Sequence, residues 1–320
     1  MEERPEGVPI SRRALLGGAA LAGAALATGR AGAGEPPPMP TRPFGATGRR
    51  VSVFGLGSFY VGAAASDEEG KRIVARALEL GCTYVDTAPS YMRGASERRV
   101  GLALEGGKRD GVFLATKTLE RTGAAAKADL DASLKRLRTD HVDLVQVHCV
   151  RTKEDLESVL SDDGPLPALV EARKNGKVKF IGLTGHEDPV VMAAAIERWP
   201  WDSVLLPLNV VDAHRLSFLE GALPVAVSRG LARVAMKVLA SGRLVKDEGA
   251  LRAEDCLRFA FGLDVSCAIV GCGSVEEVEL AARVASEAQP FTPEESKALV
   301  AKAKRFSGKK GTGVEWYKRD

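Results

Sequence analysis

The chain has 320 residues, of which 45% are hydrophobic and 27% are charged, with 34 glycines and 16 prolines. This ordinary globular composition excludes a collagen-like, disordered or coiled-coil protein. The net charge is only +3, from 45 Lys and Arg against 42 Asp and Glu, so no nucleic-acid partner is expected. The five cysteines form no Cys-x-x-Cys pair, which predicts buried free thiols and no metal site.

The N-terminal residues have the pattern of an export signal. Arg12 and Arg13 precede an uncharged stretch rich in Ala, Leu and Gly, residues 14–29, and small residues follow it. A twin arginine before a weakly hydrophobic stretch resembles a twin-arginine (Tat) export signal. We therefore expect a signal at 1–33, a proline-rich linker at 34–40 and an exported, periplasmic protein without a stable membrane span after signal removal. An uncleaved anchor is the alternative, although the stretch is shorter than the roughly 20 residues that span a bilayer.

From residue 41 onward, apolar runs alternate with helical periodicity. A short hairpin, 42–51, comes first. Eight continuous apolar runs, typical of buried parallel strands, lie at 51–57, 82–88, 111–117, 142–148, 178–184, 203–209, 231–239 and 266–272. Apolar residues at helical spacing lie at 67–80, 127–138, 275–287 and 293–306.

This alternation predicts an α/β protein: a (β/α)8 TIM barrel with an N-terminal β-hairpin and a C-terminal helical tail. An open doubly wound sheet is the alternative, because periodicity alone does not show closure. No low-complexity linker interrupts the body of the chain, so residues 41–320 are interpreted as one domain. No sequence feature indicates an oligomeric state.

Four polar side chains fall at or just after the carboxyl ends of consecutive predicted strands. Asp86 and Tyr91 follow the second strand, Lys117 ends the third, and His148 ends the fourth. In a TIM barrel these ends line the active site. The four groups suit carbonyl reduction: a Tyr hydroxyl protonates the oxyanion, and a nearby Lys ammonium lowers the pKa of that hydroxyl. A carboxylate keeps the buried ammonium charged, and an imidazole donates to the carbonyl oxygen.

The segments RPFGATG, VSVFGLGS, DTAPSYMRGASERRVG, ATK and VDLVQVH resemble the aldo-keto reductase family. The resemblance covers roughly residues 41–290, and its Asp-Thr-Ala-x-x-Tyr segment is quite specific. It implies an NAD(P)H-dependent oxidoreductase that reduces an aldehyde or ketone to an alcohol, with a small carbonyl compound as its partner. The catalytic tetrad of the family then falls on Asp86, Tyr91, Lys117 and His148. The chain lacks a Gly-x-Gly-x-x-Gly motif, which agrees with the way this family holds its cofactor.

The resemblance also implies that NADP(H) or NAD(H) lies across the barrel mouth. The implied contacts are Gly57, Ser58, Thr184, Asn209, Lys237, Leu239, Ser241, Gly242, Ser274 and Glu277. Leu205 stands where the family has a Gln that binds the carboxamide, and Leu208 stands where an aromatic stacks on the nicotinamide. Glu277 lies near the position of an Arg that binds the 2′-phosphate, so we expect NADH to be tolerated or preferred.

These departures leave a second function open: a cofactor-binding regulatory or interaction module with little turnover, like the aldo-keto reductase-like subunits of potassium channels.

The sequence also predicts the placement of side chains near the mouth and in the tail. Strand alternation predicts that Cys149 points away from His148, into the barrel wall. Trp316 and Tyr317 either cap the substrate pocket or belong to a free tail.

Overall fold

The computed structural model of the chain describes residues 37–246, 251–308 and 313–319. Two short strands, β1 (Thr41–Pro43) and β2 (Arg50–Ser52), pair antiparallel as the predicted hairpin. Eight further strands form a closed parallel barrel: β3 (Phe54–Gly57), β4 (Tyr84–Asp86), β5 (Phe113–Thr118), β6 (Val142–Val147), β7 (Val178–Thr184), β8 (Ser203–Pro207), β9 (Ala232–Met236) and β10 (Cys267–Gly271). Neighbours in the chain pair with each other, and β10 pairs with β3. The closed ring confirms the predicted TIM barrel and excludes the open sheet.

Most strands are shorter than the apolar runs that predicted them. The run 203–209 forms a strand only as far as Pro207, and the run 231–239 only as far as Met236. Pro207 and Met236 are the last residues paired between β8 and β9, so the backbone is free to turn over the rim beyond them. Asn209 and Lys237 therefore lie in loops at the barrel mouth rather than in strands.

Helices outside the barrel connect the strands. They are α1 (Phe59–Ala63), α2 (Asp67–Glu79), α3 (Ala95–Ala103), α4 (Gly123–Leu137), α5 (Lys153–Leu160), α6 (Pro165–Lys174), α7 (Pro189–Arg198), α8 (Ala222–Ser228), α9 (Ala253–Gly262), α10 (Val275–Glu287) and α11 (Pro293–Ala303). The predicted helices correspond to α2, α4, α10 and α11. Helix α4 begins earlier than predicted because the Thr122 side chain caps it, accepting a hydrogen bond from the Ala125 amide.

The amino-terminal end of the barrel is filled by aromatic side chains. Phe44, in the turn of the hairpin, is fully buried, and its ring centroid lies 4.5 Å from that of Phe113. Phe113 in turn stacks between Tyr84 and Phe180, with centroid distances of 5.3 and 6.1 Å. The hairpin thus closes one end of the barrel, and the carboxyl ends of the strands form the mouth at the other end.

The predicted signal, 1–33, and the first three residues of the predicted linker lie outside the described ranges. In the ranges that are described, every helix is too short or too polar to cross a membrane.

Candidate active site

A buried ion pair lies beneath the barrel mouth. Asp86 ends β4 and Lys117 lies one residue before the end of β5, and both side chains are almost completely inaccessible to solvent. The Lys117 Nζ lies 2.5 Å from Asp86 Oδ1 and donates a second hydrogen bond to the Thr87 carbonyl at 2.7 Å. Burial lowers the pKa of Lys117, but Asp86 and Tyr91 outweigh that effect and raise the pKa overall. Lys117 is therefore a charged ammonium held inside the barrel.

Tyr91 begins a tight turn, Tyr91–Gly94, directly above this pair. Met92 and Arg93 in the turn have φ of 48° and 54°, in the left-handed region. The Lys117 Nζ lies 4.7 Å from the centroid of the Tyr91 ring. Burial raises the pKa of Tyr91, and Lys117 opposes this rise without reversing it. Lys117 thus acts on the Tyr91 pKa in the expected direction, but burial outweighs it, and the hydroxyl keeps its proton at neutral pH.

His148 completes the group at the mouth, one residue beyond the end of β6. Its ring centroid lies 6.1 Å from that of Tyr91. Burial, together with the charge of Lys117, holds the pKa of His148 well below its ordinary value, so the imidazole is neutral. Its Nδ1 has no hydrogen-bond partner among the described residues. A neutral imidazole carries one N–H, which is the form that donates to a carbonyl oxygen.

Buried hydroxyl groups support Asp86 from behind. Ser58 Oγ donates to the Asp86 carbonyl at 2.7 Å and lies 2.7 Å from Ser96 Oγ, which also lies 2.8 Å from Thr87 Oγ1. Ser58 is completely buried by these contacts. The Ser58 hydroxyl is therefore bonded within the protein, and the approach of Gly57 and Ser58 to a cofactor stays a prediction. Gly57, at the end of β3, packs so closely on β10 that an added Cβ would meet the Val270 carbonyl at 3.3 Å.

On the opposite side of the mouth lie three predicted cofactor residues, Thr184, Asn209 and Lys237, and the last two contact the C-terminal tail. Thr184 Oγ1 accepts a hydrogen bond from the Cys149 amide, so this hydroxyl is used within the protein. Asn209 Nδ2 donates to the Tyr317 hydroxyl at 2.9 Å and to the Lys237 carbonyl at 3.2 Å. The tail therefore caps the mouth where β7, β8 and β9 end. Tyr317 is part of this cap and does not belong to a free tail.

The tail is fixed by a buried cluster of charged side chains, which we call the tail latch: Lys318, Asp212 and Glu315. The Lys318 Nζ lies 2.9 Å from Asp212 Oδ1 and 2.7 Å from Glu315 Oε1, and all three side chains are buried. Burial raises the pKa of Asp212 to about 6, and Lys318 opposes that rise. Sequence reasoning missed this cluster, because Asp212 lies 106 residues before Lys318 in the chain and the three residues follow no motif.

Lys237 is a partly buried lysine without a described carboxylate partner. It follows β9 directly with φ of 57°, and its Nζ lies 5.3 Å from the Tyr317 ring centroid and 5.5 Å from that of Trp316. Burial lowers the pKa of Lys237. Next along the chain, Ser241 and Gly242 form a left-handed turn, whereas Leu239 is partly buried and packs against the core.

These features fit an anionic group such as the pyrophosphate of a dinucleotide. Loops after the seventh and eighth strands form the phosphate site of many TIM barrels, and Lys is a common phosphate ligand. Lys237 and the turn after it supply the cation and the irregular backbone for such a group. Among the described residues, no group of three or more His, Cys, Asp or Glu side chains is arranged to hold a metal ion.

The loop after β10 is already occupied by an anionic side chain. Gly273 N donates to Glu277 Oε2 at 2.6 Å, and Ser274 Oγ accepts from the Glu277 amide at 3.3 Å. The carboxylate of Glu277 therefore sits at the N-terminus of α10, where the helix dipole favours an anion. A second anion here, such as a 2′-phosphate, would be repelled by this carboxylate.

Cys149 does not point into the barrel wall as expected. Its φ is 56°, and its Sγ lies 3.4 Å from His186 Nε2. Strand β6 ends at Val147, so strand alternation does not extend to this residue. His186 Nδ1 donates to the Tyr317 carbonyl at 3.2 Å, and burial lowers the pKa of His186 to about 4. All five cysteines are free and buried, as predicted.

The family of the chain follows from comparisons with known proteins. The profile of the aldo/keto reductase family matches residues 53–255 of the chain. This match covers more than half of the chain. The chain belongs to the aldo/keto reductase family and is an oxidoreductase of that type.

Individual relatives agree with this assignment. L-Galactose dehydrogenase of Arabidopsis thaliana is 28% identical over 64% of this chain and 67% of its own length. Aldo-keto reductase YhdN of Bacillus subtilis is 37% identical over 52% of this chain and 50% of its own length. The matched regions thus span half to two thirds of these curated relatives. The holo form of aldo-keto reductase AKR11C1 from Bacillus halodurans superposes with a TM-score of 0.72 at 26% identity, covering 82% of this chain and 96% of that one.

Proposed function

We propose that the protein reduces an aldehyde or ketone to an alcohol, with Tyr91 as the general acid. The observation that carries this proposal is the charged Lys117, which contacts Asp86 on one side and the ring of Tyr91 on the other. A reduced nicotinamide dinucleotide, held at the mouth by Lys237 and the turn after it, supplies the hydride when bound. The protein supplies the proton and stabilises the developing charge.

Each of the four side chains has a distinct task in this proposal. Tyr91 donates its hydroxyl proton to the carbonyl oxygen as negative charge develops there. The positive charge of Lys117 stabilises the resulting tyrosinate, and Asp86 keeps Lys117 charged in its buried position. The neutral His148 donates its N–H to the same oxygen and so orients the carbonyl group.

One observation favours the second function, a cofactor-binding module with little turnover. Leu208 is completely buried and offers no aromatic ring where the resemblance places one against the nicotinamide, so the reacting ring would be held less firmly than in the family. In that case cofactor occupancy, rather than chemistry, would be the property under selection. The two functions differ in what happens when the acid is removed.

Replacement of the acid tests the proposal. We expect Tyr91→Phe to lower kcat by about 100-fold to 10,000-fold, the usual contribution of a positioned acid, with NADH and NADPH binding unchanged. Turnover is measured with a panel of aldehydes and ketones, and binding by fluorescence titration. The matched control is Tyr84→Phe, because the Tyr84 hydroxyl is buried with no described hydrogen-bond partner. Undiminished turnover in Tyr91→Phe would overturn the mechanism, and absence of turnover in the wild type would favour the module.

We further propose that the enzyme tolerates or prefers NADH, because Glu277 occupies the N-terminus of α10. In Glu277→Arg we expect the affinity for NADPH to rise about tenfold, equivalent to about 1.4 kcal/mol, with a smaller change for NADH. Glu287→Arg, at the other end of the same helix, is the control for added charge. Wild-type protein that binds NADPH at least ten times more tightly than NADH would contradict this preference.

A further inference from the structure

Arg121, outside the group of four, connects the loops that follow β5 and β6. Its Nη2 donates to the His148 carbonyl at 2.8 Å and to the Cys149 carbonyl at 3.2 Å. Its Nη1 donates to the Leu119 carbonyl at 3.0 Å. One guanidinium thus binds the backbone two residues after Lys117 and the backbone of His148 itself.

The guanidinium is itself held in place by Asp155, in the first turn of α5. Arg121 Nε donates to Asp155 Oδ1 at 2.5 Å, and its Nη2 lies 3.2 Å from Oδ2. Asp155 Oδ2 also accepts from the Arg151 amide, and the Asp155 amide donates to Thr152 Oγ1. Two-point pairing of this kind fixes the plane of an Arg side chain as well as its position. The Arg121 donors are therefore aimed at the loop backbone by α5.

The backbone that Arg121 binds is strained. Cys149 has φ of 56°, a left-handed conformation that costs a non-glycine residue about 1–3 kcal/mol unless its surroundings impose it. Thr184 holds this corner from the other side: its Oγ1 accepts from the Cys149 amide, and its carbonyl accepts from the Val150 amide. Arg121 supplies the matching contacts to the two carbonyls.

The direction of the His148 ring depends on this corner. The His148 amide donates to the Thr118 carbonyl at 2.9 Å, while its ring Nδ1 has no described partner. Because no hydrogen bond to Nδ1 fixes the ring, its direction is set mainly by the backbone conformation at 148–149.

We propose that Arg121 is a positioning residue: it aims the His148 imidazole at the mouth by holding the 148–149 corner in its left-handed conformation. The inference rests on the proposed function, in which His148 orients the carbonyl group. Arg121 itself does not touch the reacting atoms. Through Leu119 it also fixes the loop after Lys117, so the ammonium and the imidazole keep a constant separation.

The primary test is Arg121→Gln. Misplacement of a reacting group by about 1 Å can cost on the order of 100-fold in rate, so we expect kcat to fall between about tenfold and 100-fold. The dissociation constants of NADH and NADPH should stay within about twofold, since Arg121 makes no hydrogen bond to Lys237 or the turn after it, which would hold the dinucleotide. The matched control is Arg198→Gln, because Arg198 also pairs with a carboxylate of α5, that of Glu157, but contacts no strand end. Asp155→Asn, which keeps the size of the side chain, should give a smaller loss in the same direction.

A rescue experiment separates positioning from general destabilisation. Glycine adopts the left-handed conformation without strain, so Cys149→Gly reduces the need for Arg121. In the Arg121→Gln background we expect Cys149→Gly to raise kcat by at least about threefold, a non-additive result for residues in contact.

Several results would overturn the inference. These are an unchanged kcat in Arg121→Gln, a fall in kcat that matches the loss of folded protein, or strictly additive effects in the double variant. Failure of the proposed function is recognised separately, because it leaves Tyr91→Phe as active as the wild type. Loss of activity in Tyr91→Phe together with full activity in Arg121→Gln would reject the positioning role alone.

Discussion

Burial and ion pairing together set the protonation states of the ionisable side chains at the mouth. His148 and His186 both have lowered pKa values and are neutral at pH 7, whereas Lys117 stays charged because Asp86 lies against it. The desolvation of the Lys117 ammonium is offset by its direct contact with the Asp86 carboxylate. The two histidines are neutral, so their burial carries no such desolvation penalty.

This arrangement predicts how stability depends on pH. The pKa of His186 is about 4 in the folded protein and about 6.5 in the unfolded chain, so between these values only the unfolded state binds the proton. His186 should therefore lower the free energy of unfolding by up to about 3 kcal/mol as the pH drops from 6.5 to 4. Asp212, whose folded pKa of about 6 lies above its unfolded value, acts in the opposite direction between about 6 and 4, so the contribution of His186 is read from the difference between wild type and variant. Urea unfolding at several pH values measures this slope.

The contribution of His186 is isolated by substitution. In His186→Gln the free energy of unfolding should fall measurably less steeply as the pH drops. The part of the pH dependence that comes from His148, whose pKa is also lowered, should persist. His141→Gln, outside the mouth, serves as the control. A slope that is the same in His186→Gln and in the wild type would contradict the assignment.

The residues of the site divide into those that the sequence reveals and those that it does not. Asp86, Lys117 and His148 could be predicted, because strand ends are recognisable and their side chains are chemically unusual there. His186, Arg121 and the tail latch could not be predicted, since their roles come from contacts between distant parts of the chain. Cys149 was assigned the wrong direction because the strand ends two residues before it.

The C-terminal tail is bound to the rest of the protein by stacking, by hydrogen bonds and by a buried ion pair. Arg243 stacks on Trp316 with 4.5 Å between the guanidinium carbon and the ring centroid, and its Nη1 donates to the Gly313 carbonyl. Lys318 is completely buried within the tail latch. A buried charge of this kind is stable only while all of its partners are in place.

Removal of the cation should therefore release the tail. Lys318→Met leaves the Asp212 and Glu315 carboxylates buried without a counter-charge, and we expect a loss of about 3–5 kcal/mol in the free energy of unfolding. Urea unfolding followed by tryptophan fluorescence measures the change. Lys302→Met replaces an exposed lysine of α11 and should cost less than about 1 kcal/mol. Equal effects of the two substitutions would show that the latch contributes little.

Element boundaries were predictable only in part. The 275–287 helix and the 178–184 strand agree with the structure, because a capping Ser274 marks the first and full burial marks most of the second. Strands β8 and β9 end earlier than their apolar runs, since Leu208 and Val238 lie beyond the last strand residues yet are buried in the same core cluster as the strands, so their burial does not mark a strand.

For the whole molecule, the barrel could be predicted from its eight repeated strand–helix units. The expectation that the protein is exported rests on the N-terminal sequence pattern alone. We propose that the protein is exported, and replacement of the two arginines tests this. A fusion of residues 1–40 to a periplasmic reporter should lose export in the double variant Arg12→Lys, Arg13→Lys. Arg30→Lys, after the apolar stretch, is the control and should be exported normally. Export that persists in the double variant would contradict a Tat-type signal.

The aromatic filling of the barrel's amino-terminal end has a kinetic consequence. Phe44, Tyr84 and Phe113 leave no passage through the barrel, so everything that reaches Lys117 arrives and departs by the same opening. The barrel is closed at its amino-terminal end and open only at its mouth. A ligand that lies deeper in the barrel than a second ligand must therefore bind before it and leave after it. Substrate and product of the proposed reaction would therefore pass through this one opening, beside which the C-terminal tail lies.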